Sequence, residues 1–195
     1  MCRDILSSMR HWDEELARSV VYMEDDVDQL MYLLLRLIRG AAISPSLAKQ
    51  LELDALDCLD YQTLVHRIER VADHVTSIAE SAIALIESKI SVPEKVFDAL
   101  VRSAEIAFAS YEEAVQCFLS EDVGPANEII DKQKEIEDLY MEITPLPYFG
   151  EPNETSILSH VITIRENIMK ISHNAADIAE LTIDRAYKMR DGSQR

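Results

Sequence analysis

Apolar residues return at three- and four-residue steps along most of the chain, the spacing that lines one face of an α-helix. Leu16, Val20, Val27, Met31, Leu34 and Ile38 form one such stripe, which predicts a helix from about Asp13 to Arg39. Gly40 and Pro45 are expected to end it. Tyr61, Leu64, Ile68, Val71, Val75, Ile78, Ala82 and Ile86 form a second stripe, predicting a helix from about Asp60 to Lys89. Ser91 with Glu94 reads as a capping box that opens a helix reaching about Ser120, with Pro93 in its first turn. Gly124 and Pro125 mark a step into a helix over roughly Ala126 to Ile143. Thr144 to Asn153, with three prolines and a glycine, predicts a loop, and a last helix covers about Thr155 to Met189.

Laid over one another, the two halves of the chain match. At a shift of 109, Asp13 meets Asp122, Ala17 meets Ala126, Val20 meets Ile129, Val27 meets Ile136 and Leu30 meets Leu139. At a shift of 100, Ile68 meets Ile168, Val71 meets Ile171, and Ile78-Ala79-Glu80 meets Ile178-Ala179-Glu180. An all-α fold of two tandem three-helix bundles follows, one over residues 1–91 and the other over 92–195. The halves are unequal. The helix from about Val92 to Ser120 has a first-half counterpart only from Met1 to about Met9, roughly two turns against seven. An apolar groove beside the first bundle is expected from that inequality, and with it a homodimer or a chain that is part of a longer protein.

Composition narrows the partners. With only four glycines and six prolines, few tight turns are expected. The net charge of −17, from 36 acidic and 19 basic residues, opposes a nucleic-acid or anionic-membrane surface and leaves cations and basic proteins. Cys2, Cys58 and Cys117 form no Cys-x-x-Cys pair, as fits a reducing compartment. The most apolar stretch, Leu30 to Ile43, is short and interrupted by Arg36 and Arg39, so no membrane insertion is expected and the chain reads as cytoplasmic.

Six pairs of acids stand four residues apart, about what 36 acids would give by chance, so spacing alone singles out none of them. Position does more. Glu24, paired with Asp28, lies inside an apolar stripe, and Glu69, paired with Asp73, flanks one between Val65 and Ala72. Acids there destabilise a packed helix face unless a cation lies between them, or unless the face is solvated. His74 is a weaker candidate, since a helical histidine is more often a packing or surface residue.

The segment Ile68-Glu69-Arg70-Val71-Ala72-Asp73-His74 resembles the Glu-Arg-Ile-Gly-Asp signature of the PhoU family, and Glu24-Asp25-Asp26-Val27-Asp28-Gln29 resembles its companion motif on the preceding helix. The resemblance covers nearly the whole chain. It implies two three-helix bundles and regulation of phosphate uptake through a phosphate ABC-transporter ATPase or a sensor kinase. It also implies metal binding by Glu24, Asp28, Glu69 and Asp73, with Asp25 a lesser ligand. An all-oxygen set favours Mg, Mn or iron over a sulfur-rich zinc site, and the ion's identity stays open. Some members carry an appended DNA-binding domain; direct DNA binding is not expected here. In the second half the four acids become Gln133, Glu137, Met169 and His173, so metal is expected in the first half only.

Two other functions compete. A di-iron enzyme needs Glu-x-x-His on two helices, and none of the five histidines has Glu three residues before it. No phosphate-cradling Gly-rich loop, His-Glu-x-x-His or Gly-x-Ser-x-Gly motif occurs either, so an enzyme is not expected. A metal-free helical adaptor with no phosphate role is the alternative to a metal-binding regulator.

Overall fold

The computed structural model describes residues 1–89, 92–142 and 155–192. Among them are seven helices and no strand: α1 (Cys2–His11), α2 (Glu14–Ile43), α3 (Pro45–Leu51), α4 (Ala55–Ser88), α5 (Glu94–Ser120), α6 (Ala126–Glu142) and α7 (Thr155–Gly192). None of these helices is long and apolar enough to cross a membrane. Ser91 and the 144–153 segment predicted as a loop lie outside the described residues.

Local chemistry fixes the helix ends. Trp12 ends α1 with a left-handed φ of 54° and stacks on Phe97 at 4.9 Å, a packing role. Asp13 then caps α2, its carboxylate accepting from the Leu16 amide at 3.0 Å. Gly40 does not end α2, which runs to Ile43. A Cβ at Gly40 would lie 2.9 Å from the Leu47 side chain, so the glycine admits α3 against α2. No apolar stripe marks α3, which Pro45 starts at its first position. The next helix begins earlier than its stripe predicts. Asp54 and Asp57 cap each other's amides at 2.8 and 3.0 Å, which starts α4 at Ala55 instead of Asp60. Helix α5 begins at Glu94 after Pro93, without a side-chain cap.

Helices α1, α2 and α4 form the first bundle, with α3 folded against α2, and α5, α6 and α7 form the second. The bundles do not have separate interiors. One apolar cluster joins Ile5, Val20 and Val75 of the first half to Leu100, Ile164 and Ile171 of the second. The seam is the antiparallel pair α4 and α7, where polar contacts repeat under the shift of 100. Arg67 reaches Asn174 at 3.4 Å and Asp177 at 2.6 Å. The equivalent positions are Asn167, which meets His74 at 2.9 Å and Ser77 at 3.1 Å. Each half therefore holds the other through matching residues, as an internal two-fold requires.

Arg185 of α7 closes one end of the seam. Its Nη2 donates to Asp57 at 2.8 Å and Glu121 at 3.2 Å, and its guanidinium lies 5.1 Å from the ring centres of both Tyr61 and Phe118. Only 11% of this side chain is exposed, so its charge is held in a partly dry setting. Replacing Arg185 by Ala is expected to lower unfolding stability by roughly 1.5–3 kcal/mol, the range for hydrogen bonds to charged groups. Arg185→Lys should recover only part, because lysine lacks the planar fork. Urea midpoints of the three proteins check this ordering.

Candidate functional site

The four predicted acids come together on one face. Glu24 and Asp28 stand one turn apart on α2, and Glu69 and Asp73 one turn apart on α4, the helix packed along it. Glu24, Asp28 and Glu69 are half-buried, and Asp73 is exposed at the rim. Apolar packing sets this spacing: Ala17 and Val20 on α2 and Val71, Val75 and Ala79 on α4 belong to one cluster, which draws the helices together beneath the acids.

The carboxylates act on one another across the two helices. Burial, then Asp73 of α4 and Asp28 of its own helix, hold Glu24 above the usual carboxylate range. Burial, then Asp73 and Asp28, raise Glu69 as well, partly opposed by His66 and Arg70. Asp25 is exposed and only adds to the pressure on Glu24. Glu80, which belongs to neither acidic motif, also raises Glu24. Its place seven residues after Asp73, on the same face of α4, was the available signal.

As a donor set the acids suit a hard cation. They are not gathered on a point, however: among the described residues no three His, Cys, Asp or Glu side chains converge at metal-binding distance. His74 lies apart from them, its Nδ1 on Asn167 in the seam to α7, and burial pulls its pKa down. The thiols are unpaired, and burial pushes Cys2 up to about 11, which leaves it a poor ligand. At the equivalent place on α6, Gln133 donates to Glu137 at 3.4 Å, so a hydrogen bond stands where α2 sets two carboxylates against each other.

Beside the acids, a cavity of 820 Å³ is lined by Tyr32, Arg36, Arg39, Ile43, His66 and Glu69, among others. Its arginines put positive charge about two to three turns beyond Asp28 on α2, in the same lining as Glu69, which makes this face of α2 and α4 a two-sign surface.

The PhoU domain family matches residues 1–82 and again residues 100–182. A relative from Rhizobium meliloti (strain 1021), named as a phosphate-specific transport system accessory protein PhoU homolog, is 31% identical over 130 residues. The alignment takes in 65% of this chain and 52% of the relative, so the chain spans about half the length of the curated relative it matches.

The raised acids set a pH dependence. A carboxyl whose folded pKa exceeds its ordinary value of 4.5 binds its proton more tightly in the folded state. Stability from Glu24 and Glu69 is therefore present at low pH and lost as pH rises from 4.5 through the raised values. In chelator-treated protein, Glu24→Gln should be more stable than wild type at pH 7 by about 0.2–0.5 kcal/mol, the size of a like-charge pair one turn apart. The difference should vanish below pH 4.5. Urea unfolding of both proteins across that range measures it.

Proposed function

The chain belongs to the PhoU family, and on that premise we propose that it is a cytoplasmic, non-enzymatic regulator of phosphate uptake. It works by contact with another protein, the ATPase of a phosphate transporter or a sensor kinase. The observation that carries this reading is the double family match, supported by the name of the Rhizobium relative. The net charge of −17 favours a basic surface on the target.

Metal binding belongs to the same reading. Glu24 and Asp28 of α2 with Glu69 and Asp73 of α4 hold a divalent or trivalent ion, of the kind of Mg, Mn, iron or Zn. The ion's role is electrostatic: it cancels the repulsion that raises Glu24 and Glu69 and draws the two helices' acids together. Because no three donors converge among the described residues, a metal-free adaptor is the second reading.

Metal analysis separates the two. Protein purified without chelator should retain stoichiometric metal, the Glu69→Ala and Asp73→Ala double variant should lose it, and Glu137→Ala with His173→Ala should change nothing. Equal loss from both double variants would sink the first-half assignment, and metal-free wild type after incubation with each ion would favour the adaptor.

Binding to the purified transporter ATPase tests the role itself. Association should change with inorganic phosphate in the assay and weaken as ionic strength rises past 0.15 M, where charges are screened beyond about 8 Å. Binding indifferent to phosphate, or tight capture of phosphate by this chain alone, contradicts the reading.

A further inference from the structure

Beyond the acids, the flank of α2 and α4 opens into the 820 Å³ cavity. Met31 and Leu35 form its apolar floor, and Tyr32, Arg36, Arg39 and Ile43 of α2 border it with His66 of α4. Glu69, which interacts with Asp28 and Asp73, closes the end nearer the acids. Along α2 the lining runs from Met31 to Ile43, about 18 Å of helix. Tyr32 is 62% and Ile43 85% exposed, so the groove offers apolar surface to whatever enters it.

Charge sets this groove apart. Residues 29–51 carry Arg36, Arg39 and Lys49 and no acid, in a chain of net charge −17. Arg36 and Arg39 stand one turn apart on α2, and Arg70 follows His66 by one turn on α4. Among the described residues these three arginines stand in no ion pair, whereas every other arginine whose side chain is described does. With 36 acids in the chain against 19 bases, their guanidinium forks are left open to carboxylates from outside it.

We propose that this groove receives an amphipathic helix of the target protein, one with apolar residues toward the floor and carboxylates one turn apart along its edge. The cationic groups are strung along α2 instead of converging on a point, which suits an elongated ligand over a small anion. Two packed helices with an apolar furrow between them take a third helix along it, and the paired arginines match carboxylates at the same helical spacing. Nucleic acid, the other elongated anion, is opposed by the net charge. Repulsion from Glu69 keeps the carboxylate edge at the Arg36 and Arg39 end, which fixes the helix along the groove. That the helix belongs to a target protein rests on the regulatory reading; that the groove takes an acidic helix does not.

Methyl NMR of the full chain tests it. The probe is a synthetic amphipathic helix of about fifteen residues, with leucines on one face and glutamates one turn apart beside them; two controls carry glutamine or lysine in place of glutamate. The glutamate peptide should shift the Met31 and Ile43 methyl signals to saturation, the glutamine peptide should bind about tenfold more weakly, and the lysine peptide should leave these signals unmoved. Arg36→Gln with Arg39→Gln should weaken the glutamate peptide about tenfold, or about 1.4 kcal/mol, with melting unchanged because both side chains are exposed. Rising salt should weaken it too. Signals unmoved by the glutamate peptide, or a double variant that binds it as tightly, would overturn the proposal. So would the same shifts from inorganic phosphate alone, which would make this a small-anion site, or from raised protein concentration alone, which would place a second copy here. Peptide binding in a chain that ignores the transporter ATPase and the sensor kinase would refute the regulatory reading and leave the groove standing.

Discussion

The antiparallel packing of α4 on α7 is the constraint from which the other arrangements follow. Among the described residues both helices bury side chains toward each other and toward their own bundle. Burial of residues such as Val75, Ile78, Ile171 and Ile178 supplies the attraction, on the order of 1.5–3 kcal/mol for each large side chain. The polar pairs at Arg67 and Asn167 then fix the register, because sliding one helix by a turn would break the bonds of Asn167 to His74 and Ser77 and of Asn174 to Arg67, leaving each buried asparagine only the bond to its own helix.

With α4 committed to α7 on one side, only its opposite side is left for α2. That side carries Glu69 and Asp73, and the apolar contacts of Val20 and Ala17 press α2 close enough for its own acids to face them. The repulsion is tolerated because the acids sit at the edge of the contact, half in water, while the core beneath them is continuous. The second bundle uses the same backbone plan without that tension. Its α6 bonds Gln133 to Glu137 where α2 sets Glu24 against Asp28, and further along the same helix Tyr140 donates to Glu166 of α7 at 2.8 Å.

The far end of the first bundle is built differently. Leu35, Ile38 and Ala41 of α2 pack with Cys58 and Val65 of α4, with Met31, Tyr61, Ala48 of α3 and Leu53 beside them. This cluster is two long helices deep, in contrast to the three-helix layers elsewhere, and its outer surface is apolar and basic while the rest of the chain is acidic. Gly40 and α3 are the local response: the short helix fits where glycine leaves room and covers one flank of α2, leaving the leucine row on the other.

By itself the sequence determined the helical class and the repeat, which depend on periodicity, and the family, which residue type at fixed spacing carries; the four acids followed from that resemblance and not from spacing alone. A 3.6-residue stripe constrains which face a helix buries, and Glu24, Asp28, Glu69 and Asp73 could be placed on such faces before any fold was known. Only tertiary structure decided the rest. The start of α4 rested on two aspartates capping each other, a geometry weaker in sequence than a Ser-x-x-Glu box. Helix α2 runs past Gly40, whose missing Cβ leaves room for Leu47, a neighbour that exists only once α3 has folded back. His74 lies beside a motif in the chain but turns to Asn167 in space, ninety-three residues away, because neighbours on a helix point in directions about 100° apart. Sequence fixes what each face carries; which faces meet is settled by the mutual packing of whole helices, and no local pattern encodes that.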